Sequence, residues 1–542
     1  MADSAVGMLA VGGRAPVNKW LVTVSITFGT LMGAIDASIV NVAVPHLSGS
    51  LGATVEQITW VSTGFALANV IVMPLTAFLA RLFGQKRVYL FCLVLFLVGS
   101  MLCGMARSLE MLVVCRVIQG LGAGALQPTE QAILRQTFPP EEQGMAMALF
   151  GIAVMLGPAF GPTLGGWIID NFSWPWIFYI NLPVGLLGLF MVSSFVHEPE
   201  DVRLANQAAA AQQRKNMDWA GIALLSVGLA SLQYVLEEGI RKDWFQDTRV
   251  AVLTVVAIAA LLLFVARELT AVAPAVNLTL FKDRVFLSGT LVSGVMFAML
   301  FSITFILPVF MQTLLGYNAM QSGLALMPRS LIMFVAVPIV GRIYNKVQPR
   351  IVVAFGIVCF AISAYLMSHY TLVTSTRQLI FPMVVQGLGF ACLFVPLTTV
   401  ALTNIPRAKL ADATGMNSLV RQIGGSLGLA VFATLMGRYP TEIRASIGAH
   451  LVPGRPEVMQ RLAAMTQGLM ARGLDPTAAA VAARRFLGGV VSQQAMVMTF
   501  EKMFIMAGIA FLCVMPLLLF LKAPKLGASA GGGPKIDVHV EI

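Results

Sequence analysis

Gly151-Ile-Ala-Val-Met-Leu-Gly-Pro-Ala-Phe-Gly-Pro-Thr-Leu-Gly-Gly166 decides what kind of chain this is. It sets five glycines and two prolines in an otherwise apolar, helix-length stretch. In a water-soluble helix each interior Gly costs about 1 kcal/mol relative to Ala, and each Pro about 3. Inside a bilayer the same residues are tolerated. Small side chains let helices pack backbone to backbone, and neighbouring helices satisfy the carbonyls that Pro frees. The stretch predicts a packing seam and a bending point within a membrane.

Composition extends that reading to the whole chain. Of 542 residues 58% are hydrophobic and only 11% charged, and the mean hydropathy is +0.83. Soluble domains carry about 25% charged residues, so the fold class is an all-α polytopic membrane protein. A span needs about 20 apolar residues. Fourteen stretches qualify: 20–44, 57–80, 88–106, 111–134, 145–169, 175–197, 219–237, 250–267, 285–314, 320–341, 351–369, 378–402, 413–437 and 500–521. The first is too long for a signal-peptide core and lacks a small-residue cleavage site.

The net charge of +11 does not describe a nucleic-acid surface. Lys and Arg alternate between loops, as the positive-inside rule requires. Arg14, Lys19, Lys86, Arg87, Lys282, Arg284, Lys346, Arg350, Lys522 and Lys525 fall on one side. The other side's short loops hold only Arg107, Arg241, Lys242, Arg249 and Arg377. Both termini are therefore expected in the cytoplasm. All six cysteines fall inside spans, which excludes a disulfide framework. The five histidines show no metal-ligand spacing, so neither a metal nor a cofactor is expected. No G-x-x-x-x-G-K-[ST] loop offers ATP as fuel. No Ser-His-Asp, H-E-x-x-H or Cys-His grouping at a membrane face suggests an enzyme.

The chain repeats itself. Val117-Ile-Gln-Gly-Leu-Gly122 reads against Val384-Val-Gln-Gly-Leu-Gly389, and Gly144-Met145 against Gly415-Met416. Gly157 then falls on Gly428, and Pro74 reads against Pro338 at nearly the same offset. Two six-span halves in parallel orientation follow, with substrate handled at their interface. The expected organisation is a cytoplasmic N-terminus (1–19), a first half (20–197), a cytoplasmic connector (198–217), two extra spans (218–267), a second half (285–521) with an outer segment (438–499), and a flexible cytoplasmic tail (522–542). Helices outside the membrane are expected in the Ala-rich stretch 457–486.

Gly157-Pro158-Ala-Phe-Gly161-Pro162-Thr-Leu-Gly165-Gly166 resembles the antiporter motif of major facilitator superfamily exporters. Ile35-Asp-Ala-Ser-Ile-Val-Asn-Val-Ala-Val-Pro45 is similar to the first-span signature of its fourteen-span drug:proton antiporter family, EmrB/QacA type. Arg116-Val-Ile-Gln-Gly-Leu-Gly-Ala-Gly124 is similar to the fourth-span motif, and Trp174-Pro-Trp-Ile-Phe-Tyr-Ile-Asn-Leu-Pro-Val-Gly185 to the opening of the sixth span. Asp218-Trp-Ala-Gly221, Leu232-Gln-Tyr-Val-Leu-Glu-Glu-Gly239 and Asp243-Trp-Phe245 resemble the marks of the extra pair of spans. One departure stands out. The family usually has an acidic residue three positions before the Gly of its G-R-K-R loop, whereas Arg81 precedes Gly84-Gln-Lys-Arg87 here. Locking by an Asp in that loop is therefore in question.

The resemblance implies a major facilitator fold and proton-driven export of hydrophobic or amphipathic compounds by alternating access. The segment 438–499 resembles that of EmrB-type pumps, which implies a bacterial inner membrane, a periplasmic adaptor and an outer-membrane channel. An exporter of one endogenous metabolite, with the same fold and coupling, is the alternative. The expected partners are the bilayer, small-molecule substrates and protons, with no nucleic acid.

An ionisable side chain near mid-membrane costs on the order of 2.5–3.5 kcal/mol, and so points to function. Asp36, Arg116, Arg329 and Arg421 qualify. At 1.5 Å per residue, Asp36 and Arg116 sit in the outer half of the membrane, on helices the family fold brings together. A carboxylate shared between proton and substrate would couple their movements. A purely structural ion pair is the alternative. Arg329 and Arg421 are expected to line the second half's cavity, holding anions or a gate, unless they snorkel. Asp412 and Glu130 lie near cytoplasmic span ends, where solvation or capping competes with function. Trp60, Phe305, Phe310 and Met311 are candidates for an adaptable apolar chamber. Asn41 and Gln119 are mid-span polar groups for interhelical bonds or substrate contacts.

Overall fold

The computed structural model describes residues 18–344, 346–452 and 454–521. The expected tail 522–542, and all but the end of the segment 1–19, lie outside the described residues. The first half contains α1 (Lys19–Leu51), the short α2 (Val55–Ile58), α3 (Trp60–Phe83), α4 (Gln85–Gly104), α5 (Leu109–Thr137), α6 (Gln143–Asn171), α7 (Trp176–Tyr179) and α8 (Asn181–Phe195). The connector forms α9 (Glu200–Lys215), and the extra pair is α10 (Trp219–Glu238) and α11 (Thr248–Thr270). The second half contains α12 (Arg284–Thr313), α13 (Ala319–Ile343), α14 (Pro349–Met367), α15 (Thr376–Val400), α16 (Leu410–His450), α17 (Pro456–Met470) and α18 (Pro476–Cys513). No strand occurs among the described residues.

Thirteen helical segments are long and apolar enough to cross a membrane, and α6 adds a fourteenth long helix at the position read from the Gly/Pro stretch. Three details differ from the expected spans. The sixth breaks into α7 and α8 around Ile180, where Pro183 cannot continue the hydrogen-bond ladder from the preceding turn. The last span ends its α-helix at Cys513 and finishes as a 3-10 turn over Met515–Phe520, with Pro516 at the break. Finally, α16 and α18 run to 41 and 38 residues, well beyond the roughly 20 that a bilayer requires. With α17 they make up the segment 438–499 as helical extensions, including the Ala-rich stretch.

Packing repeats between the halves. In the first, α1 packs along α6, and α3 and α4 along α5; in the second, α12 packs along α16, and α13 and α14 along α15. The glycine seams explain the first of these pairs. A Cβ at Gly157 would lie 2.3 Å from the Ala34 carbonyl carbon, and one at Gly161 2.5 Å from Ser38 Cβ. At the repeat position, a Cβ at Gly428 would lie 2.4 Å from the Ala298 carbonyl oxygen. Only hydrogen fits at these crossings, which is how small residues bring membrane helices together.

The halves meet through α6 on α13 and α3 on α16. Gly144 abuts the Gly341 carbonyl, and Gly415 abuts that of Met73. Both crossings lie toward the face that carries α9. The helix α10 packs on α3 and α16, with α11 against it.

Candidate functional site

Asp36 stands in the middle of α1 with no exposed surface. Arg116 of α5 donates through Nη1 to Asp36 Oδ2 at 2.5 Å. Gln119, one turn along, donates to Oδ1 at 2.9 Å, and Asn181 at the start of α8 donates to the same oxygen at 3.0 Å. The shell is itself held. Arg116 donates to the Val61 carbonyl of α3 and to Gln119 Oε1, and its guanidinium lies 4.2 Å from the Phe65 ring centre. Asn181 also donates to Ser100 of α4. Every first-half span except α6 thus contributes to one buried node. The ionised carboxylate is fully provided with donors, as a charge removed from water requires.

The second half is organised differently. Arg421 of α16 is buried between the halves, bonded to Ser418 of its own helix and, at 3.5 Å, to Gln131 of α5. The rings of Phe150 and Phe297 flank its guanidinium. Arg329 of α13 is buried too and donates to Thr304 of α12. Among the described residues neither forms an ion pair. Beside Arg421, the buried amide nitrogens of Gln131 and Asn417 have no hydrogen-bond acceptor, and Asn417 Oδ1 has no donor. A guanidinium and two unused donors make an anion-binding environment. An apolar cavity of about 220 Å³ lies between α6 and α13, lined by Met155, Phe160, Met327, Leu331, Phe334 and Val337 among others.

Toward the α9 face, Arg81 ties four elements together. Its Nη1 bonds both oxygens of Asp412 on α16 at 2.8 Å. Its Nε donates to Gln213 of α9, and its Nη2 to the carbonyl of Ala275. A cavity of about 310 Å³, lined by Gln213, Val272, Pro274 and Lys409 among others, adjoins this bond.

Such an assembly of repeated halves, with a sealed charge node in one and, among the described residues, an unpaired Arg421 between them, invites comparison with known transporters. Residues 26–429 match the model of the Major Facilitator Superfamily. The chain belongs to the major facilitator superfamily. Within it, the EmrB/QacA type is supported by relatives matched over nearly the full length. The chain is 33% identical to the multidrug export protein EmrB of Escherichia coli (strain K12), covering 95% of this chain and 97% of that protein. It is 33% identical to EmrB of Haemophilus influenzae, over 97% and 99%. It is 32% identical to the fatty acid resistance protein FarB of Neisseria gonorrhoeae, over 94% and 97%. Of solved structures, the human organic anion transporter MFSD10 has a TM-score of 0.56 at 14% identity, covering 92% of this chain and all of that one. The proton:xylose symporter XylE has a TM-score of 0.57 at 13%, covering 91% and 94%. These two establish a shared fold. The major facilitator fold and this family identify a membrane transporter.

The remaining sequence candidates are scattered. Glu130 is fully buried on α5 and accepts from Thr27 of α1, while its Oε2 has no partner. It is neither solvated nor a cap. Asp412 is likewise buried and ion-paired rather than solvated. Arg329 and Arg421 do not snorkel. Gln119 spends its side chain inside the Asp36 node. Trp60 packs on Tyr234 of α10. Phe305 is partly exposed on α12, whereas Phe310 and Met311 are packed in the second-half core. Gly165 continues the α1 seam against Ile39, and a Cβ at Gly166 would meet open space. The side chains of Asn41, Pro158 and Pro162 lie outside the described residues. Sequence reasoning missed Asn181 as a partner of Asp36, and Ser100 as the group that holds Asn181. The Asn181-Leu-Pro183 break in the sixth span was the available signal.

Proposed function

We propose that this protein is a proton-driven exporter of hydrophobic and amphipathic compounds, working by alternating access from a bacterial inner membrane. The carrying observation is the division of charge between the halves. A sealed, titratable Asp36 node lies within one half, and unpaired Arg421 lies between the two. The similarity to the EmrB multidrug export proteins favours export.

The proton acts at Asp36. Protonation removes the counter-charge of Arg116, and a buried guanidinium left alone is unfavourable by several kcal/mol. The node must then relax by moving α1 relative to α5. Because α1 is seamed to α6 and α6 packs on α13, that movement reaches the contact between halves. On the cargo side, Arg421 with the free amides of Gln131 and Asn417 receives an anionic headgroup, while the Met-lined cavity takes an apolar body. The Arg81–Asp412 bond holds the α9 face closed and breaks when the halves rock. One charge crossing 100 mV supplies about 2.3 kcal/mol, enough to bias such an equilibrium. The extensions of α16 to α18 expose Met459, Val481 and Phe486, which suits docking of a periplasmic adaptor that leads to an outer-membrane channel.

Proteoliposomes with an inward proton gradient and a trapped pH dye test the reading. Lipophilic acids and cations should trigger proton movement in the parent and none in Asp36→Asn. Equal movement in both would remove Asp36 from coupling and move attention to Glu130. No movement with any compound would count against multidrug export.

A further inference from the structure

The extra helices carry a carboxylate that the mechanism above does not use. Glu237, half-buried near the end of α10, faces α3. It accepts from the Gln233 amide at 2.7 Å and is also bonded by Thr63. Gln233 is itself buried and donates to Ser426 of α16 at 2.9 Å, leaving its own carbonyl oxygen without a donor. Trp60 of α3 and Tyr234 of α10 pack beside them with ring centres 5.6 Å apart, and Trp60 stays 37% exposed. The nearby cations are engaged elsewhere. Arg241 lies close enough to act on Glu237 through space, but its hydrogen bonds go to Glu238 and Thr59, and Lys242 bonds Glu56 at 2.8 Å. The contact of α10 with α3 and α16 therefore offers a carboxylate, an unused buried carbonyl and two aromatic rings, one of them partly exposed, and among the described residues no basic side chain is bonded to the carboxylate.

We propose that Glu237, Gln233, Trp60 and Tyr234 form a binding site for lipophilic organic monocations, where α10 lies against α3 and α16. A carboxylate in a spanning helix persists at substantial cost unless it has a partner. Ring faces attract cations most strongly when these are poorly hydrated. A metal ion is a poorer fit, because it would require several more oxygen ligands than this contact provides. The position of α10 also matters. It touches both halves, so a cation bound there meets α3 and α16 together. The inference rests on the exporter reading for its role, and it gives the extra pair of helices one: charge-selective capture, separate from the anion-binding surroundings of Arg421.

The test uses the full-length purified chain and two probes of nearly identical shape and opposite charge, tetraphenylphosphonium and tetraphenylborate. Equilibrium dialysis should give a Kd for tetraphenylphosphonium that rises about tenfold or more in Glu237→Gln and several-fold in Trp60→Leu. Tetraphenylborate binding should be unchanged in both variants, which also reports that they fold. Arg421→Gln should show the converse pattern. Unchanged cation binding in Glu237→Gln overturns the proposal, as does an equal loss of both probes, which would mark a structural role. A parent that binds no tetraphenylphosphonium overturns it as well. If the site behaves as expected but no gradient-driven transport occurs in proteoliposomes, the exporter reading falls and the site stands.

Discussion

At the residue scale, the chemistry turns on which buried charges have partners. Asp36 and Arg116 neutralise one another at 2.5 Å within a shell that Gln119 and Asn181 complete. Removing one member of such a pair strands the other. Asp36→Asn should therefore destabilise the fold by about 3–5 kcal/mol, measured as a lowered midpoint of thermal unfolding in detergent. The double variant Asp36→Asn with Arg116→Gln should recover much of that loss without recovering proton coupling, which separates structure from function. Among the described residues Arg421 and Arg329 have no such partner. Arg421→Gln should weaken binding of an amphipathic carboxylate by about tenfold or more, read by equilibrium dialysis, and leave a neutral lipophile of similar size unaffected. The sequence exposed all four charges because each interrupts an apolar run. That Asp36 should meet Arg116 came from the family resemblance and not from the residues themselves, since hydropathy fixes depth along a helix and not the neighbour across it.

At the element scale, the Gly/Pro stretch of α6 works as a seam. With Ala34 and Ser38 at sub-contact distance from any added Cβ, Gly157→Val should cost about 1–3 kcal/mol from overpacking and should slow transport. Gly428→Val, at the repeat position, should behave alike, while Gly166→Ala, which faces open space, should be silent. Unfolding midpoints and transport rates of the three variants check this together. The loop after α10 adds a second constraint. Asp243 and Trp244 both adopt left-handed backbone angles, and Trp244 Nε1 donates to Thr434 of α16 at 2.9 Å. Strained backbone of this kind persists where surrounding contacts over-determine it, and here it anchors α10 to the second half. The fourteen spans were legible from runs of about 20 apolar residues. The outer helices of 457–486 were legible from their Ala-rich composition, but the unbroken run of α16 and α18 out of the bilayer was not, because polar helix beyond the bilayer has no hydropathy signal.

At the scale of the whole molecule, the two halves are joined near the α9 face by the ion pair of Arg81 on α3 with Asp412 on α16. Arg81 occupies the position where an acid is customary, and Asp412 supplies the acid from the other half. Arg81→Ala should loosen that closure by on the order of 3 kcal/mol. Spin labels at Phe83 and Lys409, both exposed, should then report a broader and longer distance distribution by pulsed electron resonance. Exchanging the pair, Arg81→Asp with Asp412→Arg, should bring back the narrow one. An unchanged distribution in Arg81→Ala would remove this bond from the closing of that face. The sequence by itself determined the bilayer as solvent, the run of spans, the two-fold repeat and the small-residue seams. It could do so because a span must be apolar over a fixed length, and because repeated glycines leave a readable period. Only the tertiary structure decided that Asp36 is sealed inside one half, that Arg421 faces both, that Arg81 reaches Asp412, and that Glu237 and Trp60 come together where α10 lies against α3. Those pairings depend on how each helix is rotated about its axis and which neighbour it meets, and a nearly uniform apolar surface encodes neither.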